Sequence, residues 1–166
     1  MNKQEWYLVY TRPRAENTGA MNLRKQGYKV FFPQIIIEKP GVRQEMLKIE
    51  PMFPRYLFVK LHKEKDNWAP IKSTIGVSYL VTFGQEPAVV PTSLVNYMMR
   101  SADNNGVLRQ KAEVKKHTKG EEVTIQNGVF RGKDAKFFSY NSRERVTILL
   151  EFLGQELITE IPLNSL

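Results

Sequence analysis

Residues 6–10, Trp-Tyr-Leu-Val-Tyr, form an aromatic and β-branched run, a strand by propensity. The pattern then changes period. Thr11 as a cap, Pro13 as an early helical proline and Gly27 as a stop predict a helix between them. A second strand is expected over residues 28–37, followed by a turn-rich excursion around Pro40-Gly41. Residues 55–61, Arg-Tyr-Leu-Phe-Val-Lys-Leu, alternate strictly, which sets Tyr56 and Phe58 on one face of a strand. A short helical piece at 67–74, a strand at 77–83 and a helix from Pro91-Thr92-Ser93 to Arg100 complete the series. The order β-α-β-β-α-β with a terminal helix predicts an α+β fold, a split βαβ sandwich with helices packed on an antiparallel sheet.

Past residue 100 the pattern weakens. Ser101 to Gly106, then the polar run Arg109 to Lys119, are short of large apolar residues, so 101–118 reads as a linker between domains at 1–100 and 119–166. In the second, Val123 and Ile125 alternate with polar neighbours ahead of Asn127-Gly128, a strong hairpin signal. Strands at 136–140, 145–152 and 157–161 would close a small β-barrel. The same segment also carries a helical stripe, Val146, Leu149, Leu150, Leu153, Leu157 and Ile161. Both periods fit these residues.

Composition narrows the functional classes. With 42% hydrophobic residues, a chain of 166 fills one ordinary core or two small ones. Its apolar runs are far shorter than a membrane span, and residues 1–6 lack the apolar stretch of a secretory signal, so a cytoplasmic protein is expected. There is no cysteine and there are only two histidines, His62 and His117, which argues against disulfides, thiolate chemistry and a metal centre. No catalytic or nucleotide-binding motif is found, so neither an enzyme nor a cofactor is expected. The net charge is +8, of which +7 falls within residues 1–100, so an anionic partner would meet the first domain. Arg12, Arg14, Arg24, Lys25 and Lys29 gather around the first helix, with Lys72 in the second helical piece; a solvated basic face is the plainer explanation. Tyr10, Tyr56, Phe58 and Phe83 fall where neighbouring strands would join them in one aromatic patch, though aromatics at period two are as often simple core.

The order strand, basic helix, strand, then Glu50-Pro51-Met52-Phe53-Pro54-Arg55-Tyr56-Leu57-Phe58-Val59, then Gly76-Val77 and Phe83-Gly84 ahead of Pro91, resembles the N-terminal domain of NusG-type transcription factors. Residues 119–132 resemble their KOW motif. Within the family, the Glu50–Val59 form and the Phe83-Gly84-Gln85-Glu86-Pro87 loop are more similar to the specialised RfaH branch, with its plasmid-borne relatives, than to housekeeping NusG. The chain departs from that branch at Asn67-Trp68-Ala69, where the branch has a polar His-Thr-Thr run, and at Ile75, where it has an arginine.

The resemblance implies a monomeric, non-enzymatic transcription elongation and antitermination factor serving particular operons. Tyr10, Tyr56, Phe58 and Phe83 match a surface that docks on the clamp helices of the largest RNA polymerase subunit. Arg12, Arg14, Asn22, Lys25, Gln26, Lys72, Ser73 and Thr74 fall on the face that meets the non-template DNA strand. Glu50 and Arg145 match positions that pair across the domain interface, where Leu149, Leu150 and Leu153 would cover the aromatic patch. The second domain is then either a barrel or an α-helical hairpin packed on the first, with fold-switching between them, and the barrel would dock on a small-subunit ribosomal protein or on Rho. Rival readings are a general NusG-like factor with a constitutive barrel, and a KOW-type RNA- or ribosome-binding protein.

Overall fold

The computed structural model describes residues 3–111, 122–124, 134–136 and 142–154. The first strand, β1 (Gln4–Thr11), leads into helix α1 (Glu16–Lys25) and strand β2 (Lys29–Phe31). There follow β3 (Gln34–Glu38), β4 (Ile49–Pro51), β5 (Tyr56–His62) and β6 (Val77–Leu80). Short strands β7 (Thr82–Phe83), β8 (Glu86–Pro87) and β9 (Val89–Val90) precede helix α2 (Thr92–Ser101) and strand β10 (Val107–Lys111). Strands β11 (Glu122–Thr124) and β12 (Asp134–Lys136) and helix α3 (Ser142–Gly154) complete the described elements.

The main sheet runs β2-β5-β1-β6, with β9 also pairing β1, and every pairing is antiparallel. Because β5 fills the gap between β1 and β2, the β1-α1-β2 unit is a split βαβ. Alternation along β1 and β5 then sorts side chains between two cores. Tyr7, Val9, Leu57, Val59 and Leu61 pack with Ala20 and Leu23 of α1 and with Ile71 and Val77. Trp6, Leu8, Tyr56 and Phe58 face the other way, into a cluster with Leu94, Val95 and Met98 of α2 and with Val146, Ile148, Leu149, Leu150 and Leu153 of α3.

Several expectations are corrected. Helix α1 begins at Glu16, not near Thr11; Thr11 ends β1 fully buried, and Arg14 takes a left-handed φ of 58° in the intervening turn. The stop is as expected: Gly27 (φ 94°) lets its N–H donate to Arg24 O at 2.9 Å and that of Tyr28 to Leu23 O at 3.2 Å, a Schellman closure. The single strand expected at 28–37 is two. Pro33 has no N–H to give a ladder, and the chain turns there from the main sheet into a second one, β10-β3-β4.

Residues 101–111, expected as part of a linker, are structured. Asp103 Oδ1 accepts the N–H groups of Asn105 at 2.8 Å and Val107 at 3.0 Å, so Asp103 to Gly106 turn the chain back rather than release it. Residues 107–111 then pair with β3 in parallel. Residues 145–152, read as a barrel strand, are helical in α3, while β11 and β12 pair antiparallel, as a hairpin would. Neither a complete barrel nor a two-helix hairpin is what the described residues form. The Asn127-Gly128 turn and Leu157 and Ile161 of the stripe lie outside them.

Candidate functional site

In the register of β1 and β5, Tyr10 lies opposite Tyr56 and Leu8 opposite Phe58, while β2 sets Phe31 opposite Phe58. The Tyr10 and Tyr56 rings are 5.0 Å apart, and Tyr79 of β6 lies 4.9 Å from Tyr10 on its other side. Tyr79, half exposed, extends this shelf toward solvent; it was missed in the sequence, because only the pairing of β6 with β1, which shifts register between Tyr10 and Thr11, sets it beside Tyr10. The Arg55 guanidinium sits 4.1 Å from the Tyr10 ring centre, a cation over an aromatic face. It gets there because Arg55 holds a left-handed φ of 72°, with its N–H donated to Glu16 Oε1 at 3.1 Å and its Nε to Thr11 O at 3.1 Å. Burial, and secondarily Tyr10 and Tyr79, push the Tyr56 phenol well above its ordinary range, with Arg55 pulling weakly the other way.

The four aromatics are not equally accessible. Tyr10 and Phe83 are half-buried at the edge of the cluster, Tyr56 is 7% exposed and Phe58 is sealed at 0%. The expectation that Phe58 is an exposed anchor is thereby corrected. Its ring packs 6.0 Å from Phe53 and 6.2 Å from Phe31, inside the cluster to which α3 adds its apolar stripe.

Arg145 fastens α3 to this face. Its guanidinium is 1% exposed, with Nη2 donating to Glu50 Oε1 at 2.7 Å and Nε to Met52 O at 2.9 Å. Glu50 keeps 45% of its side chain in solvent, so the pair spans the boundary between protein and water. A buried guanidinium needs such partners, because its desolvation is otherwise uncompensated. Leu149, Leu150 and Leu153 are buried beside it, as their spacing on a helix requires.

A second surface lies on the α1 side. Asn22 Nδ2 donates to Ile75 O at 3.2 Å, and Gln26 Nε2 donates to Thr74 Oγ1 at 2.8 Å. The helix and the 3₁₀ turn Ile71–Ser73 are thus stitched together, with Arg12, Arg14, Lys25, Lys72 and Ser73 exposed around the seam. Thr74 departs from expectation, being 6% exposed, with its hydroxyl donated to Pro70 O at 2.8 Å while it accepts from Gln26. It positions Gln26 and offers no free group of its own. The seam is tight: a Cβ added at Gly76 (φ 95°) would lie 2.6 Å from Gly19 N. Among the described residues no helix is long and apolar enough to cross a membrane, and no group of His, Asp and Glu is arranged to hold a metal ion.

Residues 4–99 match the family model for the transcription termination factor NusG. The transcription termination/antitermination proteins NusG of Chlamydia trachomatis and Chlamydia muridarum are each 25% identical over 166 residues, an alignment spanning 92% of this chain and 87% of theirs. That of Chlamydia pneumoniae is 26% identical over the same shares. A solved structure from Thermotoga maritima, of domain interaction in its NusG, is similar in fold, with a TM-score of 0.51 at 20% identity over 81% of this chain and 78% of that one.

Proposed function

The chain belongs to the NusG family of transcription termination and antitermination factors, and from that premise we propose that it is an elongation factor of the RfaH type, non-enzymatic, serving particular operons and held inactive by its own C-terminal segment. Residues 1–100 dock on the clamp helices of RNA polymerase through the shelf of Tyr10, Tyr56 and Phe83, with Phe58 supporting it from beneath. Residues 119–166 form the regulatory domain. The observation that carries this reading is the seating of α3: its leucines and the Arg145 guanidinium occupy the same aromatic face that the polymerase would need. Docking and covering compete for one surface, so displacing α3 and engaging polymerase are a single exchange. The released segment then adopts the barrel that its period-two pattern allows, and this barrel recruits a small-subunit ribosomal protein.

Arg12, Arg14, Asn22, Lys25, Gln26, Lys72 and Ser73 face the displaced non-template DNA strand. The cations take phosphates, and the two amides are placed to read base edges. This face lies on the opposite side of the sheet from α3, so covering one leaves the other open.

Pull-down of the intact chain by immobilised clamp helices tests the proposal. Wild type should be captured weakly, Glu50→Ala several-fold better, and the double variant with Tyr10→Ala weakly again; capture of Glu50→Ala no better than wild type removes the autoinhibition. A second reading, a general factor with a constitutive barrel, is favoured by the antiparallel β11–β12 pair. Circular dichroism on adding clamp helices separates the two, since only a switching chain loses helical signal.

A further inference from the structure

The guanidinium of Arg55 has more donors than the fold uses. Its backbone φ of 72° is a region that Gly enters freely and a long side chain enters under strain, so an arginine here opposes local stability. What the position gives in return is a fixed cation. Nε donates to Thr11 O at 3.1 Å and the group sits over the Tyr10 ring, which leaves Nη1 and Nη2 without an acceptor among the described residues. The Glu16 carboxylate accepts the Arg55 backbone N–H, and no ion pair joins it to the guanidinium. Burial raises the phenols of Tyr56 and Tyr79, and the Arg55 charge opposes that rise in both, so the cation stands among the tyrosines of the shelf. Accessibility is graded along this face: Phe58 is sealed and Tyr56 nearly so, whereas Arg55 and Tyr10 are half-buried and Tyr79 is 51% exposed. The Arg55 end is therefore open while α3 is seated.

We propose that this end binds a carboxylate side chain of the protein that docks on the shelf, with Arg55 as the residue that selects it. The inference rests on the docking reading above and adds the charge that the partner must present. A planar fork with both terminal nitrogens free matches a carboxylate through paired N–H···O bonds, and arginine beside tyrosine is the composition of an interface hot spot. A DNA strand is served by the exposed cations around α1, Arg12, Arg14, Lys25 and Lys72, whereas one cation framed by tyrosines suits a single acidic group on an otherwise apolar surface. Because the fork is open in the covered state, the acidic group engages before α3 leaves and gives the incoming partner its first hold.

Surface plasmon resonance on immobilised clamp helices tests this with the intact chain, in the wild-type and Glu50→Ala backgrounds. Arg55→Asn, which tolerates a left-handed backbone, should melt near its parent while its affinity falls at least about tenfold, as for a hot-spot truncation. Arg55→Lys, which keeps the charge and loses the fork, should fall between. Arg55→Glu should abolish capture, and reversing the charge of the acidic clamp-helix residues one at a time should restore it at one position. Affinity of Arg55→Asn equal to its parent, with Tyr10→Ala still impaired, overturns the role of Arg55 and spares the docking reading. Rescue of Arg55→Glu at no position overturns the carboxylate partner. Loss of single-stranded DNA binding by Arg55→Asn with capture unchanged assigns the cation to DNA and overturns the inference as well. An effect confined to the Glu50→Ala background overturns the first hold. Capture of neither parent overturns the docking reading and this inference together.

Discussion

The guanidinium of Arg145 and the carboxylate of Glu50 are 95 residues apart in the chain and 2.7 Å apart in space, joining the last described helix to the strand that precedes the aromatic shelf. Removing either partner has unequal consequences. Arg145→Met deletes a buried charge and keeps an apolar body, whereas Glu50→Ala leaves the charge in place. Such an abandoned charge costs about 3 to 5 kcal/mol when wholly buried, and about 1 to 3 kcal/mol here because Glu50 is half solvated and Met52 O still accepts from Arg145. Glu50→Ala should therefore loosen α3 more than Arg145→Met. Hydrogen exchange of the α3 amides measures the difference; equal protection in both variants would show that the leucines alone hold the helix.

Phe58→Ala should lower the stability of the first domain by about 3 to 5 kcal/mol, as for other sealed aromatics, since Phe53 and Phe31 cannot close over the space. Tyr79→Ala, at the open end of the shelf, should cost less than about 1 kcal/mol while weakening polymerase capture. Urea denaturation distinguishes them, and a Phe58→Ala midpoint near wild type would mean the shelf is not part of the core.

Gly76→Ala meets two penalties at once, a left-handed φ and a Cβ lying 2.6 Å from Gly19 N. Relieving the clash must push the 3₁₀ turn off α1 and separate Gln26 from Thr74. A loss of at least about 2 kcal/mol is expected, with weakened DNA binding. A melting temperature within a degree or two of wild type would contradict the tight seam.

On a bubble template, Lys72→Ala should lower the slope of log affinity against log salt by about 0.7, the contribution of one phosphate on a single strand. Arg12→Ala should do the same. Slopes identical to wild type would place the phosphates elsewhere.

Burial, with the Glu5 carboxylate 3.2 Å away as a further cause, pushes the Tyr7 phenol up to about 12. The folded chain thus holds a proton that the unfolded chain releases near pH 10. The stabilisation is whole below that pH, shrinks as pH climbs, and is gone above 12. Unfolding free energy measured across this interval should fall for wild type and fall less for Tyr7→Phe; parallel curves would show that Tyr7 ionises freely.

Much of this architecture is written locally. Strict alternation in residues 56–61 distributes side chains between two faces wherever the strand is placed, and Gly27 closes α1 because its φ of 94° excludes most other residues. Other features depended on distant partners. Pro33 marks a corner only because two sheets meet there, and Asp103 is a turn former whose result, a strand returning to β3, required β3 to have a free edge. Thr74 looked like a polar surface residue until Gln26 and Pro70 O engaged its hydroxyl. Tyr79 gained its place on the shelf from the pairing of β6 with β1, which no local pattern records.

Residues 145–153 mark the boundary between the two kinds of information. Their spacing permits a strand and a helix alike, because apolar residues at 146, 148, 149, 150 and 153 satisfy both periods. By itself the sequence determined a two-faced sheet, a basic first half and an ambivalent last segment. The helix was decided by tertiary structure: its stripe found an aromatic face to cover, and its buried Arg145 found Glu50 and Met52 O to replace the water it gave up.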